Sequence, residues 1–550
     1  MAAPNYKESE KRTVHGVIAA GHPQTAAAGA EILRQGGNAV DAAVAAAFAS
    51  FITEAVLVNI GGGGIAQVYN PVTNQAQVFD FFSAMPGLPA THPPDTTHID
   101  FRKVLVDFGP AQQPFYIGRG SVAVPGVVAG LCRMAADLGT LSLPQILAPA
   151  IRMARQGVAL TEALAYVAHI LTPIFTDTPE IAAMYAPNGR MVQAGESPSL
   201  ENLADTLAQL GRHGPNLFYT SDIARQILAD QTAHRGLITA ADLANYQVQQ
   251  AGPIQIDYRG YTILLPPPAS SGGVLIAFAL KLLSTIDMAG LAHNSFTHAR
   301  LLTEVMRLTN LARTDWEAEC GLDPTVTRAE RARCISRFLA DGNLRRYRRQ
   351  LQTILNGGPI PAEPNLPQGP ASTTHISVAD ARGMIVGITT SAGESAGFAI
   401  GRTGVTLNNM LGEIDLHPHG FHQLRPGQRL MTMMSPTLIL RHGRPVLAVG
   451  SGGSNRLRTA ITQVISNFID FDMELAAAVD APRLHFEDDN LQLEGGVAPA
   501  VAAELEAAGY DVNLWPDRNM FFGGAHAVAR QETGWTAAGD RRRGGSVVMV

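Results

Sequence analysis

A threonine pair, Thr373 and Thr374, followed by His375, stands where the character of the chain changes abruptly. The stretch before it, residues 356–372 (NGGPIPAEPNLPQGPAS), holds five prolines and three glycines in 17 residues. With almost no apolar periodicity, it reads as a flexible linker that could span roughly 50 Å at about 3.3 Å per residue. Beyond it the chain, through TTHISVAD, the turn ARG and then MIVGITTS, alternates as a β-hairpin. A threonine at such a junction can be exposed as a new N-terminus. Its Oγ attacks the Ser372 carbonyl, the peptide bond becomes an ester on that hydroxyl, and water releases Ser372 as a carboxylate. The freed α-amine, with an ordinary pKa of about 8, then takes the hydroxyl proton, so the nucleophile needs no histidine. Two threonines opening a strand are also what β-propensity favours by itself, so the pair counts only with its surroundings.

Other chemistries find less support. HExxH and Walker patterns are missing. The run Gly61–Gly64 precedes the strand-like IAQVYNP without a phosphate-loop ending, and reads as a close backbone approach. HPHGFH (His417–His422) has no metal-ligand register and is broken by Pro418 and Gly420, so no metal is expected. Cys132, Cys320 and Cys334 are too few and scattered for a disulfide framework and lack CxxC spacing. The arginine-rich stretch 328–349 also carries Glu330 and Asp341 at helical spacing; a solvated helix face explains it more simply than a nucleic-acid or subunit contact.

A nucleophile must be held by a scaffold, and the chain has the means to build one. It has 550 residues, 46% hydrophobic and 16% charged, with net charge −6. That is ample for a large core and gives no electrostatic drive toward nucleic acid or anionic membrane. Length alone suggests roughly three or four domains. The opening residues hold no apolar signal-peptide core, and the most hydrophobic segment, residues 39–58, carries Asp41 and Glu54. It suits a buried helix better than a membrane span, so a soluble, cytoplasmic protein is expected. Residues 14–22 read as a short buried strand, and Gln24 to Phe51 as Ala-rich core helices broken near Gly36 and Gly37. Residues 125–345 are mostly helical in pattern, with a capped start at Thr239 and a strand pair in PIQIDYRGYTILLPPP. A second hairpin turns at His442 to Arg444. After it, GSGGSNR passes from a glycine turn into an amphipathic helix, for which Ser454 or Asn455 is a natural N-cap.

Over nearly its whole length the chain resembles the γ-glutamyltranspeptidase family of N-terminal nucleophile (Ntn) hydrolases. The resemblance is carried, in order, by AAGHPQTAAAGAEILRQGGNAVDAAVAAAFA, GGGGIAQVYNP, VPGVVAGL, PAIRMARQGVAL, LITAADLANYQ, DYRGYTILLPPPASSGGV, TTHISVAD, LNNMLGE, MMSPTLIL and GSGGSNR. It implies an α+β fold, a four-layer αββα sandwich of two mainly antiparallel sheets. It also implies self-cleavage at Ser372–Thr373, giving a large chain 1–372 and a small chain 373–550 within one structural domain. Thr373 becomes nucleophile and α-amine base, and Ser391 falls where a family threonine supports the nucleophile. Gly453 and Ser454 are the ungapped match to the paired backbone donors that meet the acyl oxyanion; a one-residue shift gives Gly452 and Gly453. Losing one such donor costs roughly 10²- to 10³-fold in rate.

The departures concern substrate. Phe82 stands where the glutamyl-specific members place an arginine, and Thr432 and Met433 where they place two serines; together these hold the substrate α-carboxylate. Gly393, Met410 and Glu413 stand for the asparagine, glutamine and aspartate that hold its α-ammonium group. Arg102, Arg402, Arg456 and Arg458 are the arginines close enough to motifs to compensate, and Glu413 is expected to face a cationic or amide N–H group. The resemblance therefore points to a cofactor-free amidohydrolase or acyltransferase acting on a small-molecule amide of non-glutamyl acyl type. A true γ-glutamyltransferase or glutathione hydrolase, and an uncleaved binding or assembly protein, are the alternatives. Hydrolysis against transfer, and any further homo-oligomer, stay open at this level.

Overall fold

The computed structural model describes residues 16–107, 112–320, 326–363, 372–417, 419–532 and 534–550; linker residues 364–371 lie outside them. The Ala-rich segment folds as two helices, Pro23–Arg34 and Ala39–Thr53, parted at Gly36 and Gly37. Every residue of the second is buried, which small side chains permit. Its start is fixed by a capping box between Asn38 and Asp41, and Asp41 also accepts from the Thr140 amide and hydroxyl.

These helices cover one face of a seven-stranded sheet, which runs from edge to edge Ser546–Met549, Gly16–Ala20, Thr374–Asp380, Ile385–Ser391, Gly63–Asn70, Gln75–Phe81 and Gln249–Ala251. A six-stranded sheet lies against its other face, in the order Gly534–Gly539, Gly524–Gln531, Arg444–Gly452, Thr437–Arg441, Tyr261–Leu265 and Ile254–Tyr258. All neighbours within both sheets are antiparallel. The sheets meet through Val17, Ala19, Ala379, Leu264, Leu438 and Ala448. Helices Ser271–Leu283 and Arg456–Ile469 cover the outer face of the second sheet. This is the expected αββα sandwich. Each sheet mixes strands from before and after Thr373, so the length-based count of three or four domains does not hold for this core.

The strand Thr374–Asp380 is buried throughout. Its polar side chains are therefore satisfied internally: His375 Nδ1 pairs with Thr389 Oγ1 at 2.8 Å and Nε2 with Ser377 Oγ at 2.9 Å. Burial, aided by His526, pushes the imidazole well below its ordinary pKa, so it is neutral. A Cβ at Gly450 would overlap this ring, which is why the facing strand carries glycine there.

The capped start at Thr239 is present as a capping box with Asp242. The arginine-rich stretch forms helices Arg328–Phe338 and Asp341–Leu355; Leu344, Tyr347 and Leu351 face inward while Arg345, Arg346 and Arg349 are exposed. One expectation fails. Cys320 and Cys334, 14 residues apart, form a disulfide that joins the long helix Phe296–Cys320 to the next. Scattered spacing hid a pair that two successive helices bring together. Among the described residues no helix is long and apolar enough to cross a membrane.

Candidate active site

The hairpin register pairs Thr374 with Thr390, which sets Thr373 and Ser391 at the same end of the first sheet. Gly62 and Gly63 back onto this end. A Cβ at Gly62 would overlap the Ser391 carbonyl, and one at Gly63 would crowd the Ser83 backbone, so the glycine run provides the close approach expected of it. Ser391 Oγ donates to the Ser372 carbonyl oxygen at 2.6 Å and accepts from the Gly393 N–H at 3.2 Å. It thus sits on the carbonyl of the bond before Thr373, rather than on the Thr373 hydroxyl or amine as the family pattern implied.

On the other side of the strand, Thr374 Oγ1 donates to Glu54 Oε2 at 2.6 Å, and Thr25 Oγ1 to Oε1 at 2.9 Å. Burial outweighs these bonds and pushes the Glu54 carboxyl up. The turn after strand Arg444–Gly452 closes the site. A Cβ on Gly452 would overlap the Thr373 carbonyl oxygen and come within 3.3 Å of Arg543 Nη1. Gly453 and Ser454 both take positive φ, +133° and +47°. Ser454 Oγ donates to Asp415, while Asn455 occupies the cap position of the following helix without a side-chain cap bond. Its amide nitrogen instead donates to Glu487 Oε1 at 3.0 Å. Neither proposed capping side chain is used as one.

One cavity gathers most of the residues singled out from sequence. Ser372, Thr373, Ser391 and Ser454 line it, and so do Phe82, Gly393, Met410, Glu413, Thr432 and Met433. Gly453 is not on its wall. The free volume is about 40 Å³, enough for only a few waters. Two acids that sequence reasoning missed also line it, Glu394 and Asp415. Glu394, Glu413 and Asp415 all lie above the ordinary carboxyl range because of burial. Burial first and the neighbouring Glu394 charge second drive the Glu413 carboxyl well up, so the pair favours sharing one proton over carrying two charges. Glu413 Oε1 and both Glu394 carboxyl oxygens have no hydrogen-bond partner, and no arginine or lysine pairs with Glu413 among the described residues. The signal for the two missed acids was faint: each lies within two residues of Gly393 or Glu413, in segments otherwise poor in charge.

None of the four arginines considered from sequence lines this cavity. Arg102 pairs with Asp100 and Asp177, and Arg402 borders a separate surface cavity with Asp222. Arg456 donates to the Phe521 carbonyl at 3.1 Å, and Arg458 bonds Asn310 and lies 3.6 Å from Glu487. His417 and His422 bind the carbonyls of Met410 and Gly120 at 3.0 and 2.8 Å, so both serve loop packing. Among the described residues no cluster of three metal-ligating side chains occurs.

A four-layer sandwich with a threonine at the end of a central strand, a hydroxyl on the preceding carbonyl and a glycine turn against it define an Ntn-hydrolase site. Residues 25–550 match the family model described as "Gamma-glutamyltranspeptidase", and the chain belongs to that family. It is 34% identical over 541 residues to an acylase ACY 1 proenzyme of Pseudomonas sp. (strain SE83), covering 97% of this chain and 93% of the relative. It is 29% identical to the glutathione hydrolase proenzyme of Bacillus subtilis (strain 168), covering 97% and 91%. The crystal structure of cephalosporin acylase from Bacillus halodurans superposes with TM-score 0.81 at 25% identity, over 100% and 99% of the two chains. The protein is thus an enzyme of the Ntn amidohydrolase type.

Proposed function

We propose that the chain cuts itself between Ser372 and Thr373 and then uses Thr373 to cleave amides whose acyl part is not γ-glutamyl. The observation that carries the reading is the 2.6 Å bond from Ser391 Oγ to the Ser372 carbonyl oxygen. A donor there draws electron density from the carbonyl that Thr373 Oγ must attack. The C–N bond breaks as the ester forms, its nitrogen takes the hydroxyl proton, and water hydrolyses the ester. Ser372 then leaves as a carboxylate, and the new amine of Thr373 becomes the base for each later turnover. The acyl oxyanion is met by the N–H groups of Gly453 and Ser454. The two products, 1–372 and 373–550, stay paired through the mixed sheets. Every step uses protein groups and water, with no cofactor.

The acyl preference follows from charge. A glutamyl α-carboxylate placed against Phe82, Thr432 and Met433 finds no cation, and a buried unpaired charge costs several kcal/mol. Glu413 and Glu394 instead favour an acyl group carrying an N–H donor or a cation. Similarity to an acylase proenzyme at 34% identity, against 29% for a glutathione hydrolase, supports the same choice. On a denaturing gel the purified protein should run as two fragments with Thr373 at the new N-terminus, and Thr373→Ala as one. A wild-type chain that stays whole after prolonged incubation would sink the proposal, and rapid turnover of a γ-glutamyl anilide over simple acyl anilides would overturn the acyl preference.

A further inference from the structure

Self-cleavage turns Thr373 from an internal residue into the free end of a strand, and chain ends fray unless they are tied down. Before the cut Thr373 is joined to Ser372, whose carbonyl Ser391 holds; after it that hold is gone. The main chain gives little in exchange. Strand Thr374–Asp380 is laddered to Ile385–Ser391 out to Thr374, but its ladder with Gly16–Ala20 stops at Ser377. Among the described residues, Thr374, His375 and Ile376 are thus paired on one side only. A side chain supplies the second attachment: Thr374 Oγ1 donates to Glu54 Oε2 at 2.6 Å, with Thr374 3% and Glu54 2% exposed. Glu54 is itself fixed. Its N–H donates to the Ser50 carbonyl at 2.9 Å, and its carbonyl accepts from the Leu57 and Val58 N–H groups at 2.8 and 3.1 Å. Its other carboxyl oxygen accepts from Thr25, whose hydroxyl also meets that of Thr53 at 2.6 Å. Gly21 leaves room for the bond to Thr374, since a Cβ there would lie 2.5 Å from Glu54 Oε2 and 3.0 Å from Thr374 Oγ1.

We propose that Glu54 is a positioning residue of the mature enzyme: through Thr374 Oγ1 it clamps the new N-terminus, so that the Thr373 hydroxyl and amine keep their attacking geometry. The proposal rests on the self-cleavage proposed above. Glu54 belongs to the product 1–372 and Thr374 to 373–550, so the clamp is a bond between the two products. Both groups are buried, so no water competes for the bond and neither finds another partner cheaply. Glu54 does not line the catalytic cavity; it acts on the nucleophile through Thr374 and leaves substrate binding alone. Its contribution therefore begins at the cut, because in the unbroken chain Ser372 already holds Thr373 in place.

The test uses Thr374→Val, which removes the hydroxyl, Gly21→Ala, which pushes a methyl into the bond, and Thr374→Ser, which keeps the donor. Hydrogen exchange over residues 373–380, read by mass spectrometry, compares each processed variant with the same change in the uncleaved Thr373→Ala chain. In the processed protein Thr374→Val and Gly21→Ala should speed exchange at the strand's first residues by about tenfold, and in the uncleaved chain by less than about twofold. Maturation should stay within about threefold of wild type. On an acyl anilide that wild type cleaves, kcat should fall about tenfold with KM nearly unchanged, and Thr374→Ser should restore both kcat and protection. A general loss of stability would instead raise exchange in cleaved and uncleaved chains alike. That result, unchanged exchange in both, or a failure of both variants to mature would overturn the clamp while leaving the threonine chemistry intact. If no anilide is cleaved, the exchange contrast decides alone; a wild-type chain that never cuts refutes the self-cleavage and the clamp with it.

Discussion

Ser391→Ala tests the contact on which self-processing is built. The hydroxyl donates to the Ser372 carbonyl before reaction, so it stabilises the starting state as well as the tetrahedral oxyanion, and only the difference affects the rate. A hydrogen bond to a neutral acceptor is worth about 0.5–1.5 kcal/mol net and one to a charged acceptor about 1.5–3. The difference, about 1–1.5 kcal/mol, corresponds to roughly five- to fifteenfold in rate. That is well short of the 10²- to 10³-fold loss for a donor that acts only in the transition state. The mutation also leaves the Gly393 N–H without its 3.2 Å partner, which lowers stability in both states but not the relative rate. The assay follows freshly purified precursor through conversion to two fragments on denaturing gels. Ser391→Ala should slow about tenfold, and Ser391→Thr should stay nearer wild type because it keeps the hydroxyl. A Ser391→Ala precursor that matures at the wild-type rate would refute the reasoning. So would two variants that both fail completely, since a lost hydroxyl could not be the reason.

Gly452→Ala places a methyl on the Thr373 carbonyl oxygen; displacing the reacting groups by about 1 Å costs on the order of 10²-fold, so maturation should be nearly abolished, and a normally maturing variant would show that the turn yields. Replacing Cys320 and Cys334 by serine opens a closed loop with a sequence separation of 14 and should lower unfolding free energy by about 3 kcal/mol on the chain-entropy estimate, read by denaturant titration. A reducing cytoplasm keeps such pairs open. Alkylation of the protein in its native cells therefore tests the cytoplasmic placement: modified thiols support it, and blocked ones exclude it. Glu363 is pushed up to about 7, first by burial and against the bonds it accepts from Asn310 and the Asp489 N–H. Its folded state favours the neutral acid, so that stabilisation is complete below the unfolded value near 4.5 and is lost as pH rises through about 7. Glu363→Gln should therefore remove a stability loss on the order of 1–3 kcal/mol between those pH values; identical pH slopes of thermal unfolding in both proteins would refute it.

What was legible in the sequence was what local pattern dictates. The alternation of TTHISVAD and MIVGITTS set the hairpin, and its short turn set the register that brings Ser391 beside Thr373. Asn38, Asp41 and Thr239 announced helix starts because a cap is a contact within three residues. What was hidden is what converges from afar. Glu394 and Asp415 meet from two separate loops. The arginines chosen by nearness to motifs all point elsewhere, since nearness along a chain does not fix which way a side chain faces. Glu363 shows the same limit: it belongs to a stretch whose composition promised only a linker, yet its carboxylate is held by two partners.

The strands Thr374–Asp380 and Ile385–Ser391 lie in the middle of the first sheet, flanked by Gly16–Ala20 and Gly63–Asn70. The first sheet's core therefore belongs to the last third of the chain and is hemmed on both sides by the first. Neither portion can complete the sheet until the other has been synthesised, so the unbroken polypeptide is the assembly guide and the scission a late event. Folding must be finished before the bond is cut, and after it the fragments have no independent route home: once denatured apart, they must find each other by collision rather than by tether.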